Sequence, residues 1–173
     1  MKKIIRNIYL IGMTGAGKTT VGKILANKLE WAFVDVNETM EAVYGRSLKE
    51  IFDTFGEESF RNMEATMLQE LSQGEHQVFA CNSGSVIDEK KLQTMKRTGI
   101  IIWIDVSLKD LIRRVEKMDR PAVSEGDVGK TVRDMMQDFR KYYEQADLRL
   151  ATDGTPPEVA ADQILQILKQ IGQ

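Results

Sequence analysis

Apolar residues fall along this chain in two alternating rhythms. Apolar runs of strand length recur at Ile4–Ile11, Ala32–Asp35, Gln77–Cys81, Gly99–Val106 and Leu148–Thr152. Between them the apolar positions return every three or four residues, the spacing that lays one stripe along a helix. That spacing predicts helices over Lys18–Glu30, Asn37–Tyr44, Leu48–Phe55, Glu57–Gln73, Asp88–Lys96, Leu108–Lys117, Thr131–Ala146 and Glu158–Ile171. Strand and helix in repeated succession give a parallel sheet with helices on both faces, an α/β fold. The segment "SVIDE", Ser85 to Glu89, has the form of a capping box and predicts a helix start directly behind the third strand. One stretch keeps neither rhythm. Met118–Thr131 is polar, carries Pro121, Gly126 and Gly129, and has no periodic apolar face, so it reads as a mobile lid.

The chain has 173 residues, enough for one full-sized core and too few for two, which predicts a single domain over residues 1–173. Hydrophobic residues make up 42% and charged residues 29%, with a formal net charge of -2, the composition of an ordinary soluble protein. No basic patch interleaved with aromatics suggests nucleic acid. No apolar run approaches the ~20 residues that span a bilayer. The basic start "MKKIIRN" runs straight into the first strand and does not read as a signal peptide. A lone cysteine, Cys81, can form no internal disulfide, which fits a reducing cytoplasm. The expected protein is cytoplasmic and monomeric, with Cys81 and Trp103 in the core and His76 in a surface turn.

Directly behind the first strand, "GMTGAGKTT" fits the phosphate-binding loop pattern, with Gly12, Gly17, Lys18 and Thr19 in the fixed places. Gly15, Ala16 and Thr20 complete the stretch. Glycines let successive amides turn inward on a phosphate, and the following helix aims its positive end at the same anion. In such a loop the lysine reaches the β/γ-phosphates and the threonine hydroxyl ligates Mg²⁺, so the expected cofactors are ATP and Mg²⁺.

Joined to that loop, the run Gly45, Arg46, Ser47, Leu48, Glu50, Ile51, Phe52, then Gly56, Glu57, Phe60, Arg61 and Glu64, resembles the shikimate kinase family. Arg113, with Arg120 and Pro121 following, and "ATDGTPPEVA" before the last helix extend the resemblance over nearly the whole chain. It implies a three-layer P-loop kinase fold of the nucleoside-monophosphate-kinase type, with a five-stranded parallel sheet, a lid over about 118–131 and acceptor-binding helices over about 37–73. It also implies transfer of the ATP γ-phosphoryl to a small hydroxylated acid, as in aromatic amino acid biosynthesis. Carried over by residue, it gives Lys18, Asp35 and Arg120 to catalysis and Thr19 and Asp35 to the metal. Arg113 and Arg120 join the loop in holding nucleotide, and Arg61 takes the acceptor's carboxylate.

The acceptor half departs from the family pattern. Asn37 stands where the pattern has a second aspartate, Asn82 and Ser83 replace two of three glycines and leave Gly84, and Tyr143 stands where the pattern has an arginine. A charge-assisted hydrogen bond contributes about 1.5–3 kcal/mol. An acid acceptor therefore loses affinity unless Arg140, one turn before Tyr143, supplies the cation, and an arginine restored at position 143 would lower KM. Asn37 can hydrogen-bond a hydroxyl but cannot take its proton. Departures confined to one pocket point to a changed acceptor more than to decay, which would reach both halves. Three readings stay open at this point: a shikimate kinase with an unusual pocket, a kinase for another small polyol or hydroxy acid, and a non-catalytic nucleotide-binding relative.

Overall fold

In the computed structural model, which describes residues 5–118 and 126–172, one sheet organises the chain. Its strands are β1 (Asn7–Ile11), β2 (Ala32–Asp35), β3 (Gln77–Ala80), β4 (Gly99–Asp105) and β5 (Leu148–Ala151). They lie in the order β2-β3-β1-β4-β5, every neighbouring pair parallel. The helices among the described residues are α1 (Lys18–Leu29), α2 (Val36–Tyr44), α3 (Leu48–Leu71), α4 (Glu89–Thr98), α5 (Leu108–Val115), α6 (Val128–Tyr143) and α7 (Pro157–Ile171). The α/β class and the five-stranded parallel sheet agree with the sequence reading.

The core is the sheet itself. All five residues of β1 are buried, as are the first six of β4, because helices cover both faces and leave no alternate position for water. Trp103 and Phe79 are buried in it, and Cys81 is buried behind the end of β3, where burial pushes its thiol up to about 12. The thiol is therefore neutral and unreactive at neutral pH. His76 sits exposed in the turn before β3, as expected. β1 lies at the centre between β3 and β4; the chain leaves β1 for β2 at one edge, and leaves β3 across β1 for β4 on the other side. Connections that leave the centre in opposite directions open a crevice at the carboxyl ends of the strands, where α/β sheets bind ligands.

Several element boundaries differ from the sequence reading for local reasons. The box expected at Ser85–Glu89 does not start a helix: Ser85 Oγ donates instead to Asn82 Oδ1 at 2.8 Å, and α4 begins at Glu89 with Asp88 as its cap, accepting from Lys91 N at 3.1 Å. The capping box that does form is Ser47 with Glu50, at the start of α3. Of the lid expected over 118–131, residues 119–125, with Arg120 and Pro121, lie outside the described residues. Its far end is helical from Val128, three residues before the expected Thr131, because Asp127 caps α6 by accepting from Lys130 N at 3.0 Å. The two segments expected on either side of Gly56 are one element with a break. Gly56 holds φ 79° and ψ 169°, a conformation that L side chains avoid, and the helix turns there. The turn brings Phe52 and Phe60 edge to face at 5.6 Å and aims Glu57, Arg61 and Glu64 into one cleft.

Candidate active site

Two clefts open along the carboxyl edge of the sheet. The first, of about 460 Å³, is walled by the loop between β1 and α1, by Asp35 at the end of β2 and Asn37 in the first turn of α2, and by Arg114 of α5. Gly12 and Gly17 have φ of +144° and +92°, and a Cβ on Gly12 would lie 2.6 Å from the Ile104 carbonyl oxygen. Only glycine lets the loop lie this close to β4. Gly17 caps α1 without a side-chain hydrogen bond, so the amides of the first turn of α1 stay directed at the cleft. Lys18 folds over the loop, its Nζ donating to the carbonyls of Gly12 and Met13 at 2.8 Å each. That holds a cation over the amide cradle.

Asp35 joins the cradle from β2. Its Oδ1 accepts from the amides of Asn37 at 3.0 Å and Glu38 at 3.1 Å, capping α2, while Oδ2 accepts from Thr19 Oγ1 at 3.2 Å. One carboxylate oxygen is thus fixed by helix geometry, and the other faces the first turn of α1. A hydroxyl and a carboxylate side by side, beside a place for phosphate oxygens, suit Mg²⁺, which takes few protein oxygens and completes its shell with water and phosphate. Thr19 and Asp35 would hold the ion. Asn37 Oδ1 is buried here without a partner.

Of the two neighbouring arginines on α5, the structure turns Arg114 toward the loop. Its Nη1 donates to Gly15 O at 3.2 Å and Ala16 O at 3.4 Å. Arg113, expected beside the base, is exposed and pairs with Asp110 at 3.1 Å. The helical phase could have shown this, since Leu111 and Val115 are the buried positions and residue 114 lies three from the first and next to the second.

The second cleft, of about 380 Å³, lies between α3, α4 and α6. Arg61 lines it and pairs with Glu57 one turn away. At its floor Glu64 is buried, with Lys91 Nζ at 2.7 Å on Oε2 and Asn82 Nδ2 in a very short hydrogen bond to Oε1. Sequence reasoning passed over Lys91, one of several charges in "DEKKLQ". Helix α6 reaches this cleft through Phe139. Arg140 is exposed, pairs with Glu144 at 3.3 Å and lies over the Trp103 ring at 5.9 Å, on neither cleft. Tyr143 is buried against Trp103 and Phe139, with ring centroids at 5.6 and 6.2 Å, and its hydroxyl donates to the Ser83 carbonyl at 2.8 Å. Burial pushes its phenol well above the usual range.

The turn Asn82–Gly84 divides the two clefts. Asn82 lines both, Ser83 faces the phosphate loop with its Oγ 3.5 Å from Thr14 Oγ1, and Gly84 faces Arg61's side. A phosphate loop, a hydroxyl and a carboxylate paired beside it and a second cleft across one turn make a phosphotransferase arrangement, and the comparisons with known proteins decide the family. The family model described as shikimate kinase matches residues 14–169. The chain belongs to the shikimate kinase family. A shikimate kinase of Persephonella marina is 35% identical over 162 residues, covering 93% of this chain and 98% of the relative. The solved structure of a shikimate kinase from Acinetobacter baumannii in complex with shikimate superposes with a TM-score of 0.90 at 28% identity, covering 97% of this chain and 95% of that one. A shikimate kinase from Aquifex aeolicus gives 0.79 at 31% identity, with 95% and 96% covered. Shikimate kinases are phosphotransferases acting on a hydroxyl group, and this chain is an enzyme of that kind. No described helix is long and apolar enough to cross a membrane.

Proposed function

We propose that this protein transfers the γ-phosphoryl group of ATP to a hydroxyl of shikimate, with Mg²⁺ as cofactor, in the cytoplasm. The observation that carries the reading is the placement of the two clefts: the cradle of Lys18, Thr19 and Asp35 opens on one side of the Asn82–Gly84 turn and Arg61 on the other. Bound Mg·ATP supplies the phosphoryl group and offsets charge on its oxygens. The chain does the rest by positioning. Loop amides and Lys18 fix the β/γ-phosphates, Thr19 and Asp35 hold the ion, and Arg61 exchanges Glu57 for the acceptor's carboxylate. Arg120, outside the described residues, is the proposed further cation on the phosphoryl group. Asn37 cannot accept the acceptor's proton, but a loose transition state asks little of a base.

One observation favours a second reading, a different small hydroxy acid or polyol. Asn82 is held by both Glu64 and Ser85, so a fixed side chain stands on the floor of the acceptor cleft and leaves room for a narrower molecule. A coupled assay of ADP release with Mg²⁺, ATP and shikimate, quinate or simple polyols separates the two. Turnover on shikimate with KM in the usual ~1 μM–1 mM range is expected. Turnover only on another acceptor would give the second reading, and ATP binding without turnover on any of them would overturn both.

A further inference from the structure

The acceptor cleft contains a charge that folding alone does not account for. Lys91 is 4% exposed and lies against Glu64, 7% exposed, on the floor of a cleft open to solvent. Removing two charges from water is expensive, and a buried ion pair commonly contributes no more stability than well-packed apolar residues of the same volume. A buried cation at the bottom of a ligand-sized cleft points to a ligand. We propose that Lys91 is a binding residue for the carboxylate of the acceptor and that Glu64 and Asn82 are its positioning residues. The inference rests on the reading of the acceptor as an acid.

The surroundings support this assignment. Arg61 and Glu64 are three residues apart on α3, hence neighbours on one face, so Lys91 on Glu64 lies beside Arg61 across a single turn of helix. The three carboxylates of the cleft are each engaged: Glu57 with Arg61, Glu64 with Lys91 and Asn82, Asp88 with the amide of Lys91. With three anions to two cations the cleft has no long-range pull on an acid, so recognition falls to direct hydrogen bonds. An ammonium has three donors. Glu64 Oε2 takes one from Lys91, and the cleft side of the group is where a carboxylate would take another. Asn82 closes Glu64's other oxygen, which keeps that carboxylate facing Lys91 and away from the incoming anion.

The test compares an acid with its ester. Calorimetric titrations of shikimate, other small hydroxy acids and shikimate methyl ester are run on the wild type, on Glu64→Gln, and on Lys91→Gln with Glu64→Gln, which replaces the ion pair by a neutral amide pair. In the double variant the Kd of the acid rises roughly 10- to 150-fold, the loss expected for one charge-assisted hydrogen bond, and that of the ester by a clearly smaller factor. Glu64→Gln alone keeps the ammonium and an amide oxygen to receive it, removes the competing negative charge, and tightens acid binding with the ester unchanged. Equal shifts for acid and ester, or no shift in either, overturn the role of Lys91. Should the double variant not fold, Glu64→Gln decides: tightened acid binding with the ester unchanged supports the role of Lys91, and weakened or unchanged acid binding counts against it. If the wild type binds another hydroxy acid with this pattern but not shikimate, the proposed substrate falls and Lys91 stands. If it binds no acid, Lys91 falls.

Discussion

Lys18→Ala is expected to reduce kcat/KM for ATP by at least ~10²–10³-fold, the loss typical of removing one preorganised charge from a transition state. Among the described residues that line the first cleft, Lys18 is the cation rooted in the phosphate loop itself, with Nζ 2.8 Å from the carbonyls of Gly12 and Met13. Those carbonyls hold the ammonium where the β/γ-phosphates would lie, so that less ordering remains for the moment of binding. Arg114 does not replace it, because its guanidinium is engaged with Gly15 and Ala16. The variant keeps its fold, since α1 is anchored by the buried Val21, Gly22, Leu25 and Ala26 and not by its first residue. Calorimetry with Mg·ATP and an ADP-release assay, with thermal unfolding as control, measure this. Unchanged ATP affinity would refute the placement of the donor.

Tyr143→Arg is the second large effect, and it runs against the expectation from sequence that an arginine here would lower KM. Tyr143 has no exposed surface, and its neighbours are the rings of Trp103 and Phe139. A guanidinium in that place is a buried charge, and the Ser83 carbonyl alone cannot balance it. Buried charges left without a partner destabilise by about 3–5 kcal/mol. For a chain of this size that lowers Tm by roughly 6–20 °C. Tyr143→Phe removes only the bond to Ser83 and should cost about 0.5–1.5 kcal/mol. Thermal unfolding of both, beside KM for shikimate, checks the ranking. An arginine variant with unchanged Tm and a lower KM would show that the side chain reaches the acceptor cleft.

The contrast between Lys18 and Tyr143 shows where the sequence was legible. The phosphate loop is local: glycines, lysine and threonine sit within nine residues, and the strand before and helix after follow from uninterrupted periodicity. The sheet was legible for the same reason, since runs such as "IIIWI" can only be covered on both faces. The acceptor cleft draws on α3, the turn behind β3, α4 and α6, and its meaning lies in pairs far apart in the chain. Nothing local in "DEKKLQ" distinguishes Lys91 from a surface charge; its partner is Glu64, 27 residues earlier. Tyr143 was in part legible, because Val132, Phe139 and Tyr143 follow helical spacing and place residue 143 on the core stripe and Arg140 off it. Resemblance suggested an arginine at 143, whereas helix phase pointed to burial. The start of α4 beside Asp88 was legible, but its cap was misread, because Ser85 and Asp88 both have cap chemistry and only the competing partner Asn82 decides between them.

The turn Asn82–Gly84 has a consequence for how the two substrates affect each other. It is a party wall: Ser83 touches Thr14 of the phosphate loop, Asn82 is fastened to Glu64 in the second cleft, and Tyr143 pins the Ser83 carbonyl from behind. Side chains brace this wall at both faces, so a displacement made by the occupant of one room is felt in the other. Such reciprocity is symmetric in free energy: whatever factor nucleotide applies to acceptor affinity, acceptor applies to nucleotide affinity. A substitution at Asn82 or Ser83 therefore changes the cooperativity between the substrates as well as the fit of either one, and a kinetic survey that varies only the acceptor would see half of its effect.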